Sequence, residues 1–149
     1  MSHTTLRTVI VIVLLFHGIG HLMGVIPALR LINVGESSPS WLKGWSSHSW
    51  LLTGLLGDTA ARIISVALFL AALVGAIGTA LALLGWGVPH EWWRTLAVAS
   101  AAISLVAILF YWNALIFFFP HRVGSISVDI AILVCLLWAN WPSEVAIGF

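Results

Sequence analysis

Long apolar segments constrain the fold of this chain more than any other feature. Four of them can be marked, at residues 8–28, 63–86, 95–119 and 125–141. The first three exceed the roughly 20 residues that a helix needs to cross a bilayer core of about 30 Å. The fourth is short, so it must begin earlier in the preceding loop or lie in locally thinner bilayer. We therefore expect one all-α domain over residues 1–149, an integral membrane four-helix bundle that crosses the cell membrane several times.

The composition excludes several classes of protein. The chain is 61% hydrophobic and 7% charged, whereas a soluble domain carries about 25% charged residues. The net charge is only +1, and the sequence has no cluster of Lys and Arg of the kind that marks a nucleic-acid-binding protein. No phosphate-binding loop, nucleophile elbow or paired-cysteine motif is present. The lone Cys135 is expected to pack as a small apolar side chain.

Four crossings put both termini and residues 87–94 on one side, which we call side A, and residues 29–62 and 120–124 on the other, side B. Tryptophans fall near the expected ends of the segments, as is typical of membrane interfaces. Side B carries more basic residues than side A, which predicts a cytoplasmic side B. Those on side B are Arg30, Lys43, Arg62 and Arg122, and those on side A are Arg7 and Arg94.

The long first loop has a pattern of its own. Residues 36–40 predict a turn that ends in a serine helix cap. Trp41, Trp45 and Trp50 then alternate with polar residues, which predicts an interfacial segment between the first two helices. This segment serves either as an anchor or as a lid over side B. Asp58 is a candidate N-cap for the second helix.

Two histidines one helical turn apart, His17 and His21, are the only ionisable groups in the first apolar segment. Ionisable groups inside a membrane are costly and usually face a partner, a cavity or a ligand. A helix rises about 1.5 Å per residue, which puts His21 about 10 Å and His17 about 16 Å from the side-B end. The pair is therefore the first candidate for a binding site.

Polar residues of two other segments reach similar depths. Counted in the same way, Tyr111 lies about 12 Å, Asn113 about 9 Å and Asp129 about 6 Å from side B. Arg122 and His121 lie just before the fourth apolar segment, at its side-B end. A buried carboxylate needs a hydrogen-bond donor or a cation, so we expect His21 or Arg122 to pair with Asp129.

Several kinds of site remain open for these residues. A hydrogen-bonded network can simply hold helices in register, or the same groups can line a pocket for a small molecule or a proton. An enzyme would use His21 as acid and base, with Asp129 orienting it. Histidines at positions i and i+4 are also a metal-chelating pair, which makes His17 and His21 weak metal candidates with Asp129 as a third ligand. A single haem is disfavoured, because both histidines lie on one face of one helix.

Residues 14–24 read Leu-Leu-Phe-His-Gly-Ile-Gly-His-Leu-Met-Gly. This motif resembles the first helix of the DoxX-like small four-helix bacterial membrane proteins. Together with Arg122-Val-Gly-Ser-Ile-Ser-Val-Asp129, it is similar to a His-Gly-x-x-His-Leu-x-Gly type of such proteins. The resemblance implies a four-helix membrane fold and an association with quinone-dependent oxidation or membrane oxidoreductase complexes. This chain has His21 where a lysine is frequent in that family.

Two hypotheses of function follow. In the first, the polar pocket binds a quinone-like or other amphipathic small molecule, and the chain is a redox-accessory protein. Its ligand-binding residues would be His17, His21, Tyr111, Asn113, Asp129 and Arg122. In the second, the cluster joins helices in a structural subunit that stabilises a larger membrane complex, with other membrane subunits or further copies of the chain as partners.

Overall fold

The computed structural model describes residues 2–32, 39, 43–115 and 121–149, and this part of the chain is all-helical, without a β-strand. Helix α1 covers His3–Gly20, α2 Leu22–Ala28, α3 Leu52–Leu56 and α4 Asp58–Leu84. A 3₁₀ turn at His90–Trp92 precedes α5, which covers Trp93–Phe110. Helix α6 covers Val123–Leu133 and continues as a π-helical turn at Val134–Trp138, and the short α7 covers Glu144–Ile147.

Three helical stretches within the described residues are long and apolar enough to cross a membrane. They are His3–Ala28, which combines α1 and α2, then Asp58–Leu84 and His90–Phe110. The segment Val123–Trp138 is also apolar but shorter. It begins before residue 125, one of the two alternatives expected for the short fourth segment, and it ends at Trp138, not at residue 141. The first three predicted segments therefore correspond to helices of membrane-crossing length.

Some predicted boundaries were wrong. Helix α4 ends at Leu84, not at residue 86, because Gly85 adopts the left-handed conformation with a φ of 70°. Helix α5 ends at Phe110, and residues 116–120, where the third segment was predicted to end, lie outside the described residues. The N-cap of α4 is Gly57, and Asp58 is the first helical residue, where its charge still favours the positive end of the helix.

Hydrogen bonds show which elements share an end of the bundle. At one end, His3 Nδ1 lies 3.2 Å from the carbonyl oxygen of Ala146, so α7 packs beside the start of α1. At the other end, the Nε and Nη2 atoms of Arg62 donate to the carbonyl oxygen of Ala28 at 3.0 and 2.8 Å. We keep the names side A and side B for these two ends.

Helix α4 is the central element, because it packs against α1, α2, α3 and α5. Its contact with α2 depends on Gly24, since a Cβ atom there would lie 2.0 Å from a ring carbon of Phe69. A Cβ atom at Gly20 would meet nothing within 4 Å. Helix α6 packs mainly on α5 and touches α1 only lightly.

The first loop is tied to the end of α2 through a proline. Pro27 has no backbone N–H, so the carbonyl of Met23 lacks its usual helical donor. The indole Nε1 of Trp45 donates to that carbonyl oxygen at 2.6 Å, and Trp45 is buried. Trp50, in contrast, is exposed. Trp41, residues 33–38 and the expected serine cap at residue 40 lie outside the described residues.

Candidate functional site

The backbone tightens where the two histidines lie. The N–H of His21 donates to the carbonyl of Gly18, and the N–H of Gly24 donates to the carbonyl of His21, both at 3.0 Å. These bonds span three residues instead of four, as in a 3₁₀ turn. Glycine weakens an α-helix at such a point, and Gly18 and Gly20 precede the turn. The local sequence thus explains why α1 and α2 separate at His21.

A buried polar network joins three helices next to this turn. Asp129 of α6 has a fully buried side chain, with 0% exposed, and its Oδ1 lies 2.7 Å from Nε2 of His17 on α1. Its Oδ2 accepts a hydrogen bond of 2.5 Å from Oγ of Ser104 on α5. The His17 side chain is 5% exposed. Each of the three helices therefore contributes one member, and both carboxylate oxygens are engaged.

This arrangement compensates for burying a carboxylate. An unpartnered buried charge would cost several kcal/mol, but here a ring nitrogen and a hydroxyl can both supply protons to it. When His17 is neutral with its proton on Nε2, it donates to ionised Asp129; when it is protonated, the two form an ion pair. The contact of 2.7 Å between Nε2 and Oδ1 is compatible with either form of the imidazole.

His21 lies beside this network but is not part of it. Its ring centroid is 4.8 Å from that of His17, in an edge-to-face arrangement at 78°. Only 3% of His21 is exposed, and its Nε2 has no hydrogen-bond partner among the described residues. A buried polar atom without a partner costs about 1–3 kcal/mol. His21 is therefore an unsatisfied polar group buried beside the network.

The expected partner of Asp129 was wrong. The carboxylate pairs with His17, not with His21 or Arg122. The depth count had placed His17 about 6 Å deeper than His21, which is about one helical turn. Helix α6 begins two residues earlier than the count assumed, which deepens Asp129 by only about 3 Å. The rest of the difference comes from how α6 lies along α1, which a count along each helix does not fix.

Tyr111 is separated from His21 by the ring of Phe69 and bonds a different partner. It is 1% exposed, and its hydroxyl donates to the carbonyl oxygen of Ala61 on α4. Its ring centroid lies 5.9 Å from that of Phe69, whose own centroid is 6.2 Å from that of His21. Tyr111 therefore supports the surroundings of His21 through Phe69.

Two other predicted site residues lie at helix ends: Asn113 in the turn after α5 and Arg122 at the N-cap of α6. Asn113 is exposed, and its Oδ1 accepts a hydrogen bond of 3.0 Å from the N–H of Trp50. Arg122 donates through Nε and Nη2 to the carbonyl oxygen of Leu115, at 3.1 and 2.6 Å, and lies over the ring of Trp112. A depth count fixes the level of a residue but not the side of the helix it occupies, so these two residues were grouped with Asp129 wrongly.

Ser104 was not among the site residues expected from the sequence. It lies on a buried face of α5 together with Ala97, Ser100 and Ala101, a spacing that marks one side of a helix. A serine in an apolar helix often bonds a carbonyl of its own preceding turn. Its pairing with a carboxylate on another helix therefore carries no distinct sequence signal.

An apolar groove opens beside the network, between α1, α5 and α6, with a cavity volume of about 230 Å³. Its walls at the network end include Val13 and Leu14, which precede His17 by about one turn, and Val128, the neighbour of Asp129. At side A it is bounded by Trp93, Trp141 and Pro142, and Cys135 also lines it. The groove exists because α6 has few contacts with α1.

The C-terminal segment closes side A of the groove. His90 Nε2 lies 2.7 Å from Oε2 of Glu144, whose Oε1 accepts a hydrogen bond of 3.0 Å from the indole of Trp93. Phe149 stacks on His90, with ring centroids 3.5 Å apart. Burial raises the pKa of Glu144, but the hydrogen bonds from His90 and Trp93 and the nearby positive charges outweigh it, so the net pKa falls below 4.5.

A metal site finds no support in the donor geometry. Nε2 of His17 is already bonded to Asp129. Within residues 2–32, 39, 43–115 and 121–149, no three His, Cys, Asp or Glu side chains are placed to hold a metal ion.

Comparisons of the chain with models of known protein families, with curated proteins and with solved structures found no match. The resemblance to the DoxX-like family therefore stays a prediction based on its short motifs. The function must be inferred from the geometry of the site itself.

Proposed function

We propose that this chain is an integral membrane protein that binds an amphipathic, quinone-like molecule in the groove beside His17 and Asp129. The observation that carries the proposal is the position of the groove. An apolar cleft ends about one helical turn from a buried His–Asp pair. Small-molecule sites combine mostly apolar walls with a few placed polar groups.

The membrane placement is supported by the three long apolar helices and by what their outer faces carry. Large apolar side chains are exposed along several helices, among them Phe16 at 73%, Val74 at 60% and Leu137 at 67%. Exposed apolar area of this kind marks contact with lipid or a partner. We place Val123–Trp138 as a fourth crossing of about 24 Å, which thinner bilayer would accommodate. Residues 43–51 would then lie in the side-B interface.

The proposed ligand follows from the chemistry of the groove. Its apolar walls suit an isoprenoid or alkyl tail. The head group would lie at the end formed by Val13, Leu14 and Val128, about one helical turn from the polar pair. There His17 would exchange its hydrogen bond to Asp129 for one to a ring carbonyl, and His21, in ring contact with His17, would help to position it. As a redox-accessory protein, the chain would hold the quinone for a partner oxidoreductase.

Binding of decylubiquinone to the detergent-purified protein tests this proposal. Trp93 and Trp141 line the groove, so the bound quinone should quench part of the tryptophan fluorescence in a saturable manner. Ala131→Phe, on an exposed residue of the groove wall, should weaken binding at least about tenfold by occupying the space. Ala102→Phe, on an exposed residue outside the groove, is the matched control.

A double variant tests the polar end of the site. His17→Ala with His21→Ala should abolish decylubiquinone binding while the protein still folds. The proposal fails if the quinone binds the double variant, or the Ala131→Phe variant, as tightly as it binds the wild type. Circular dichroism in the same detergent checks that each variant retains its helices.

A structural role is the second candidate, and one observation favours it. Both oxygens of Asp129 are already hydrogen-bonded to residues of this chain's own helices. Holding α1, α5 and α6 together would therefore be a sufficient role for the network. In that case decylubiquinone neither binds the protein nor raises its melting temperature. Asp129 variants would then lower the stability of the bundle without any change in ligand binding.

A further inference from the structure

A second cavity lies at side B, between the end of α2 and the first turns of α4, with a volume of about 360 Å³. We call it the side-B crevice. Its apolar wall includes Leu29, Ile63, Val66 and Ala67, and its polar edge is formed by Thr59 and Arg62. Leu29 and Ile63 are 49% and 65% exposed, so this wall opens outward from the bundle.

Arg62 is a half-buried cation without a counter-ion in the described part of the chain. Its Nε and Nη2 both donate to the carbonyl oxygen of Ala28, which fixes the guanidinium at the crevice. A guanidinium has five N–H donors, so three remain for another acceptor. No described carboxylate lies within 4.0 Å of Arg62, and the nearby Asp58 pairs with Arg30 at 3.7 Å.

The start of α4 adds to the positive character of this edge. Its N-cap, Gly57, offers no side-chain acceptor to the first backbone N–H groups, and these carry the positive end of the helix dipole. Thr59, in the first turn, presents an exposed hydroxyl. The crevice thus places a guanidinium, a hydroxyl and a helix N-terminus next to an outward apolar wall.

We propose that the side-B crevice binds an anionic phospholipid, with its phosphate on Arg62 and an acyl chain along the apolar wall. Arginine matches phosphate geometry with two parallel hydrogen bonds, and basic pockets between membrane helices bind lipid head groups. The depth also fits, because Arg62 lies in the second turn of α4, near the proposed interface. This inference rests on the membrane placement proposed above but not on the quinone site.

Native mass spectrometry of the purified full chain tests the site. The protein is incubated with equal amounts of phosphatidylglycerol and phosphatidylcholine that carry the same acyl chains. We expect phosphatidylglycerol to be retained about tenfold more, the effect of one charge-assisted contact. Arg62→Gln should remove this preference, whereas Lys43→Gln, a matched loss of charge at an exposed position of the first loop, should keep it.

A second variant covers the case in which Arg62→Gln does not fold, since Arg62 also caps α2. Ala67→Phe fills the crevice from an exposed position and leaves Arg62 in place, so it should reduce retention of phosphatidylglycerol about tenfold. Ala71→Phe, one turn further along α4 and outside the crevice, should have no effect.

Four results would overturn the inference. Equal retention of the two lipids, or unchanged retention by Ala67→Phe, would remove the crevice as a lipid site while leaving the membrane placement intact. Displacement of phosphatidylglycerol by inorganic phosphate alone would indicate a site for the free anion. Retention of neither lipid would overturn the inference as well, while the membrane placement would still rest on the apolar helices.

Discussion

Replacement of Asp129 by alanine should destabilise the protein by removing the joint between three helices. The variant leaves Nε2 of His17 and Oγ of Ser104 buried without the carboxylate that each contacts at 2.7 and 2.5 Å. Each unpaired group costs about 1–3 kcal/mol by the rule for buried polar atoms. Hydrogen bonds between membrane helices average about 0.6 kcal/mol each. We therefore expect a loss of about 1–6 kcal/mol, with the lower part of this range applying in a bilayer.

Asp129→Asn separates hydrogen bonding from charge. The amide oxygen can still accept from His17, and the amide nitrogen can donate to the hydroxyl of Ser104. We therefore expect less than half the loss caused by alanine. Ser127→Ala is a control on the same helix, because that serine is exposed and bonds the carbonyl of Val123 within α6. A surface change of this kind stays within about 0.5 kcal/mol.

Unfolding in mixed micelles of detergent and dodecyl sulfate, followed by circular dichroism, measures these differences. The reasoning is refuted if Asp129→Ala is no more destabilising than Ser127→Ala. If Asp129→Asn costs as much as Asp129→Ala, the joint depends on the negative charge and our account of two hydrogen bonds is incorrect.

Three further predictions concern the packing that surrounds the site. Gly24→Ala should lower the free energy of unfolding by about 1–3 kcal/mol, because its Cβ atom would overlap the phenyl ring of Phe69. Gly20→Ala, where the space is open, should be neutral or stabilising in the same dodecyl sulfate unfolding. Trp45→Phe should lower the free energy of unfolding by about 1 kcal/mol, because it leaves the carbonyl of Met23 without a donor. Adding Pro27→Ala should recover part of this loss, since alanine restores the backbone N–H. If Trp45→Phe is as stable as the wild type, the contact is incidental. The stabilisation from Glu144 is present above its ordinary pKa of 4.5 and is lost as pH falls through its lowered folded-state pKa. Hydrogen exchange of residues 144–149 in the wild type should therefore accelerate below about pH 4.5. In Glu144→Gln, the exchange rate should follow only the intrinsic pH dependence of amide exchange. Equal acceleration in both proteins would contradict the assigned role of Glu144.

The apolar helices could be predicted from the sequence, because a helix that is buried in lipid or in a protein core needs apolar side chains along its whole length. Helix ends were less predictable, since they depend on single residues such as Gly57 and Gly85, whose φ angles of 83° and 70° end or begin a helix. The importance of His17 and Asp129 was visible because charge is rare in apolar segments. Their direct pairing was not, because it depends on how far α6 slides along α1.

The pairing of His17 with Asp129 also determines the shape of the groove. Since α6 packs mainly on α5 and only lightly on α1, the hydrogen bond between His17 and Asp129 is a principal tie between α6 and α1 at this level. Towards side A the two helices stand apart, and the cavity of about 230 Å³ opens there. The hydrogen bond between His17 and Asp129 and the cavity on its side-A side therefore have one cause, the light packing of α6 against α1. A ligand that competes for the proton of His17 would therefore act on the tie that positions its own binding groove.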